Sequence, residues 1–315
     1  MIWELSVFFF FMIRRPPRST LFPYPTLSDL PPFIRPEYER SLTPLRDVAV
    51  DEALPLSRRL WNQTWLRKGV VVVLVLALWE AAARYQQNDL MLPGVVDTLR
   101  AFIEDMRSGE LPEKIVNSLS TLLKGYLIGS ALALVASALA ITTRFGRDLL
   151  STLTAMLNPL PAIALLPLAL LWFGLGNVSL VFVLVHSVMW PIALNTWSGF
   201  SSVPETLRMA GRNYGLSGPR YVLTILIPAS LPSILSGLKI GWAFAWRTLI
   251  AAELVFGASS GEGGLGWYIF QNRNELFTDR VFAGLATVII IGLLVEGVVF
   301  STLEKATVKR WGMQR

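Results

Sequence analysis

The chain has 315 residues, of which 53% are hydrophobic and only 16% charged, and its mean hydropathy is +0.51. Soluble domains carry about 25% charged residues, so this composition describes an integral membrane protein whose solvent is a lipid bilayer. Cysteine is absent, which excludes disulfides and thiolate sites, and the lone histidine, His186, excludes a multi-histidine metal centre. The net charge of +6 is accounted for by positive-inside loops, without nucleic acid.

Residues 1–44 differ from the rest. Val7 to Ile13 is apolar but too short to span, because a crossing needs about 20 residues. It also lacks the basic start and small-residue cleavage site of a signal peptide. Residues 8–28, FFFFMIRRPPRSTLFPYPTLS, resemble a translated sequencing adapter. The alternative is a disordered, proline-rich tail; both readings exclude the segment from fold and function, and the native start is expected between Asp29 and Asp51. Residues 45–68 form a basic approach to the membrane, with Trp61 and Trp65 suited to its interface.

Six spans are expected, within a membrane domain at 69–303. The first runs from Gly69 to about Tyr85, with Glu80 exposed near its outer end. The following outer segment is acidic and holds an amphipathic helix with Val95, Leu99, Phe102, Ile103 and Met106 at helical spacing. The second, Ser118 to Thr143, is rich in small residues at Gly125, Gly129, Ala133, Ser137 and Ala140, which permit close helix approach. The third, Leu149 to Phe173, is broken by Pro159, Pro161 and Pro167. With Asn158 at the break, it is either a wall of a translocation path or a helix bent only to pack.

The fourth span, Val178 to about Phe200, is interrupted by His186, Pro191 and Asn195. His186 is a proton or substrate site, or a hydrogen-bonded structural group. The fifth, Ala229 to Gly257, is too long for one straight crossing, so its first turns belong to the preceding loop. It carries a small-residue seam at Gly237, Gly241 and Ala245, and the costly polar groups Lys239, Arg247 and Glu253. Arg247 either attracts an anion in the path or pairs with another helix. The glycine-rich run 259–266 lacks the Gly-Lys-Ser/Thr of a phosphate loop, so nucleotide binding is rejected. The sixth span is Val281 to Leu303, followed by a basic tail at 304–315. Arg and Lys number 14 on the loops assigned inside and 6 on those assigned outside, so both termini are expected in the cytoplasm.

Between the fourth and fifth spans lies a polar loop, 203–228. Glu205, Arg208 and Arg212 fall on one helical face, and Leu207, Ala210, Gly211 and Tyr214 on a flatter one. Gly215 offers a turn. The plain reading is an interhelical loop held inside by its arginines. The spacing Gly215, nine residues, Ile225, one residue, Ile227-Pro228 resembles the E-A-A-x3-G-x9-I-x-L-P loop of ABC importer permeases. Here Met209-Ala210-Gly211 replaces the Glu-Ala-Ala, and Glu205 lies one turn earlier.

Further matches narrow the resemblance to the nitrate/sulfonate/taurine branch. Asn158 to Gly176 keeps Pro161, Ala164, Pro167, Leu168, Leu171, Trp172, Phe173, Gly174 and Gly176 of its signature, with Asn158 where that pattern has arginine. Leu92-Pro93, Gly109-Glu110-Leu111, Ala251-Ala252-Glu253 and the loop G-x-G-G-L-G-W also match. The resemblance implies an all-α membrane protein with about six transmembrane helices, of the type I ABC importer permease fold, in a bacterial inner membrane. It implies a coupling loop of Glu205, Arg208, Met209, Ala210, Gly211, Gly215, Ile225 and Pro228. The expected path candidates are Asn158, Pro161, His186, Asn195, Lys239, Arg247 and Glu253. Expected partners are cytoplasmic ATPases carrying ATP and Mg, an extracytoplasmic solute-binding protein and a second permease copy. The chain itself would carry no cofactor, metal or catalytic residue. The alternatives are an ATP-independent secondary transporter, which would call for inverted repeats, and a membrane scaffold.

Overall fold

Eleven helices and no strand make up residues 62–256 and 263–309, which are the residues described by the computed structural model. The 1–44 segment with its adapter-like stretch, most of the 45–68 approach and the end of the 304–315 tail lie outside the described residues. From Trp65 onward the described residues belong to one compact unit.

In chain order the helices are α1 (Thr64–Gln86), α2 (Val95–Ser108), α3 (Glu110–Ala140), α4 (Arg144–Leu157) and α5 (Ala162–Phe173). They continue with α6 (Asn177–Ser202), α7 (Glu205–Asn213), α8 (Gly218–Ala229), α9 (Leu231–Phe256), α10 (Leu265–Asn274) and α11 (Thr278–Val308). Three of them, α3, α6 and α11, are each long and apolar enough to cross a membrane. The pairs α4–α5 and α8–α9, bent by 89° and 79°, raise the number to five if each is one broken span. The expected first span, α1, is not among these five. Its 23 residues reach about 35 Å, and its apolar side chains from Val70 to Leu78 are exposed in the single chain.

The core is built around α6, which lies between α3 and α9. Glycines set the distance on both sides. A Cβ added at Gly125 or Gly129 of α3 would stand 2.5 Å from Leu184 Cβ or 2.9 Å from Val188 Cβ. On α9 the same addition at Gly237 or Gly241 would stand 2.8 Å from Asn195 Cβ or 2.9 Å from Ile192 Cγ1. Such small-residue pairs four apart let backbones approach where lipid offers no hydrophobic drive to association. Tyr126 Oη, donating to the Leu238 carbonyl at 3.0 Å, ties α3 to α9 directly.

Three local expectations change. Pro191 lies within α6 without interrupting it, and Asn195 Nδ2 donates back to the Pro191 carbonyl at 2.8 Å. Pro167 sits in the first turn of the α-helical part of α5, where no N–H partner is needed. The break between α4 and α5 therefore falls at Pro159 and Pro161 alone. Glu80 is not a bare interfacial charge: it accepts the Val95 N–H at 2.8 Å at the start of α2 and the Arg84 Nε at 2.8 Å. The amphipathic helix α2 turns Val96, Leu99, Ile103 and Met106 outward while Thr98, Ala101 and Asp105 are buried.

Candidate functional site

The polar loop folds as two short helices against the end of α6. After Ser202 the chain turns through Pro204 into α7. Arg208 does not project into solvent as the helical-face reading expected. Its Nε donates to the Val203 carbonyl at 3.0 Å, and its Nη2 to those of Phe200 at 2.5 Å and Ser201 at 3.4 Å. A helix end leaves its last carbonyls without partners and bears partial negative charge, so a guanidinium there caps and neutralises it. Glu205 stands 3.9 Å from Arg208 and is otherwise exposed.

Gly211 is buried where α7 meets α8; a Cβ there would stand 3.1 Å from Ile225 Cγ1 and 3.2 Å from the Tyr221 ring. Gly215 adopts φ +72 with its N–H on the Arg212 carbonyl at 2.9 Å, a conformation that side chains resist. α8 contains a π-helical turn at Val222–Leu226 and ends at Ile227–Ala229 with Pro228 in its last turn. Tyr214 is 87% exposed and Met209 49%, with Ala210, Arg212 and Arg220 also outward. The candidates thus divide. Arg208, Gly211 and Ile225 hold the loop together, Pro228 sits in the last turn of α8, and Glu205, Met209 and Ala210 face out.

Four of the seven path candidates line one cavity of about 350 Å³: Asn158, Pro161, His186 and Arg247. The break between α4 and α5 supplies one wall, mid-α6 the second and α9 the third. Trp190, which the sequence did not single out, lines it as well, with the His186 ring set edgewise to it at 6.1 Å. Neither ring nitrogen of His186 nor the indole Nε1 of Trp190 has a partner among the described residues. Arg247 Nε donates to the Ala243 carbonyl at 3.0 Å, and its guanidinium lies over Phe244, 5.1 Å from the ring centroid.

The other three candidates lie elsewhere. Asn195 is spent on α6. Lys239 forms an ion pair with Glu304 at the far end of α11 and borders a second cavity with Arg247 and Glu296. Glu253 is 3% exposed and faces neither cavity. It accepts the Ser118 hydroxyl at 2.8 Å and the Gly266 N–H at 2.9 Å, and Ser118 Oγ accepts the Leu265 N–H at 2.8 Å. The carboxylate thus binds α9, the start of α3 and the start of α10 together. The glycine-rich loop allows this: a Cβ at Gly264 would stand 2.3 Å from Glu253 Oε1. A second buried polar cluster closes the same side. Tyr268 Oη donates to Asp105 Oδ2, which also lies 3.7 Å from Arg280 Nε. Burial first, then the Asp105 carboxylate, hold the Tyr268 hydroxyl well above the usual phenol range. The signature Trp172-Phe173-Gly174 closes the turn from α5 into α6, with Gly174 at φ +75 and Ser179 Oγ donating to its carbonyl at 2.6 Å.

Residues 125–310 match the family described as "Binding-protein-dependent transport system inner membrane component". A relative from Methanocaldococcus jannaschii named "Putative ABC transporter permease protein" is 34% identical over 227 residues, 71% of this chain and 84% of its own length. The nitrate import permease protein of Synechocystis is 30% identical over 73% of this chain and 85% of its own length. The taurine transport system permease protein of Escherichia coli is 28% identical over 79% and 93% respectively.

Proposed function

Because the chain belongs to the family of binding-protein-dependent transport system inner membrane components, and is thus a membrane-embedded permease component of an ABC transporter, we propose that its 203–228 loop is the surface through which a separate ATPase drives it. The ATPase carries ATP and Mg; the permease carries neither. A second copy of the chain completes the path, an extracytoplasmic protein delivers the solute, and both termini face the cytoplasm. The relatives' names speak of nitrate and taurine, which supports a small anionic or zwitterionic solute. No relative reported above supports an ATP-independent carrier.

The observation that carries this reading is the way the loop is fastened. Arg208 binds α7 to the last carbonyls of α6, and Gly211 lets α7 lie against α8. α8 leads through Ser230 into α9. A push on the outward face of α7, at Met209 and Arg212, is therefore delivered to α6 and α9. These two helices wall the 350 Å³ cavity. Nucleotide would bias a two-state arrangement of those walls.

The test is purification of the tagged permease from its native membrane, with Gly215→Pro beside it. Proline demands φ near −65° and has no N–H, so it fits neither the φ of +72 nor the bond to Arg212. Wild type should recover an ATPase in equal amount. The variant should insert normally and recover roughly tenfold less. Equal recovery from both would remove the loop from the coupling role.

A further inference from the structure

The end of the bundle opposite the 203–228 loop carries an exposed apolar patch. Two turns make it, one between α1 and α2 and one between α10 and α11. Thr278 Oγ1 ties them together by donating to the Leu90 carbonyl at 3.0 Å. Leu90, Met91, Leu276 and Phe277 are all exposed around that bond. Leu276 is the informative member. The N–H groups of Phe277 and Leu276 close α10 on the carbonyls of Asn272 and Arg273, at 2.9 and 3.3 Å. This is the helix stop whose left-handed residue is usually glycine. Here that residue is leucine, at φ +64, a conformation that side chains other than those of Asn and Asp resist. Nothing inside the chain offsets the strain, because the Leu276 side chain is 68% exposed. Strain kept without a local gain points to a contact made elsewhere.

The charges flanking these residues in the chain select the occupant. Asp89, Glu275 and Asp279 join no ion pair among the described residues. Arg273 is the nearby cation, whereas Arg84 pairs with Glu80 and Arg280 is drawn to Asp105. The rim of the patch is therefore net acidic. Segments that lie on bilayers carry Lys and Arg on their polar side. The polar run Gln86 to Asp89 also separates Leu90 and Met91 from the apolar Val70 to Leu78 of α1. A second copy fits no better: a two-fold contact places a patch on itself, which would set the acidic rim against its own like charge. A partner of opposite rim charge fits.

We propose that this patch is the docking surface for a soluble extracytoplasmic protein with an apolar centre and a rim of Lys and Arg. Leu276 and Phe277 fill the centre of the contact, and Asp89, Glu275 and Asp279 meet the basic rim. A few apolar anchors inside a polar rim are the anatomy of such contacts. This inference rests on the permease reading above, which puts this end of the bundle outside the cytoplasm. The docked protein is then the one that delivers the solute.

The chain has no cysteine, so Asn274→Cys supplies a single thiol beside the patch for a benzophenone photo-crosslinker. Spheroplasts carrying the labelled permease are mixed with the extracytoplasmic fraction of the same cells and illuminated, and the adducts are identified by mass spectrometry. One extracytoplasmic protein should dominate, linked through a peptide that contains Lys or Arg. Adding Leu276→Gly should lower its capture at least about fivefold. The same change should leave the thermal midpoint of the purified permease unchanged or raise it by about 2–4 °C, because glycine relieves the strain. Asp89→Lys combined with Glu275→Lys should lower capture about tenfold. Capture that Leu276→Gly does not change would overturn the proposal. So would adducts only to lipid or to a second permease copy, or no adduct at all. A midpoint that Leu276→Gly lowers by more than about 4 °C would assign the side chain to the fold and overturn it too. The permease reading is checked separately at the opposite end, where labelled Met209→Cys in inverted membranes should capture an ATPase. An ATPase adduct there, with no extracytoplasmic adduct at Asn274→Cys, overturns the patch and leaves the permease reading standing. If Met209→Cys captures no ATPase, it is the coupling reading that fails, and the adducts at Asn274→Cys still decide the patch.

Discussion

Glu253→Ala is the change whose consequence follows most directly from the structure. The carboxylate takes two buried donors, the Ser118 hydroxyl and the Gly266 N–H, and is itself 3% exposed. Removing it strands both donors, at about 1–3 kcal/mol each for a buried group left unpaired. Some water will enter the space left by the side chain, so a loss of about 3 kcal/mol is expected. The loss is local, because the stranded groups are at the starts of α3 and α10. Hydrogen exchange of the peptide Leu265–Phe270 should therefore speed up by roughly a hundredfold, since 1.4 kcal/mol is about tenfold in an opening equilibrium. Ser118→Ala should give a smaller effect, about 2 kcal/mol, by stranding the Leu265 N–H and removing one donor to the carboxylate. The double variant should cost less than the two together, because both single changes break the same bond. Exchange of this peptide within threefold of wild type in Glu253→Ala would refute the latch.

Gly266→Ala should be more damaging than an exposed Gly→Ala change. Its Cβ would stand 2.6 Å from the Ile250 carbonyl oxygen, a backbone atom that cannot turn aside; a cost of about 3 kcal/mol should show as loss of thermal stability in detergent. Tyr268→Phe removes the hydroxyl donor from buried Asp105 and leaves it only the more distant Arg280. About 2 kcal/mol is expected, since a buried carboxylate losing one of two partners is partly compensated, and at about 2–4 °C per kcal/mol the midpoint of thermal unfolding should fall by roughly 4–8 °C. Gly211→Leu should force α7 off α8 and reduce ATPase recovery severalfold. Gly211→Ala, whose added carbon meets side chains at 3.1 and 3.2 Å that can give, should stay within about twofold.

Much of the architecture was legible because it rests on residue type and period. The seams at Gly125 and Gly129 and at Gly237 and Gly241 can be read from spacing, and each proves to be a helix crossing on α6. The proline pair before α5 announced its break, and the long fifth segment announced the turn at Ser230. What escaped was whatever depends on backbone groups or distant partners. Arg208 looked like one more loop charge because its acceptors are carbonyls at the end of α6, which leave no mark in a sequence. Glu253 looked like a path residue because Ser118 is 135 positions away and the Gly266 donor is an N–H. Trp190 belongs to no motif and was not singled out, because only the fold shows its N–H without a described partner beside His186.

The charged side chains then sort themselves by what they meet, and this separates architecture from transport better than residue type does. Arg208 closes a helix end, Lys239 joins Glu304, and Arg280 approaches Asp105. Each is neutralised within the chain, so each has a structural reason to exist and exerts little net pull on a solute. Arg247 has no carboxylate within ion-pair distance among the described residues, is oriented by Ala243 and Phe244, and borders two cavities, one without acidic groups and one shared with Lys239 and Glu296. An unneutralised charge inside a membrane domain is costly to keep. Packing alone does not explain it, because an apolar side chain would fill the same wall more cheaply. On the permease reading proposed above, the charge is compensated only while an anionic solute is present, which is the condition for a site that must bind weakly enough to release.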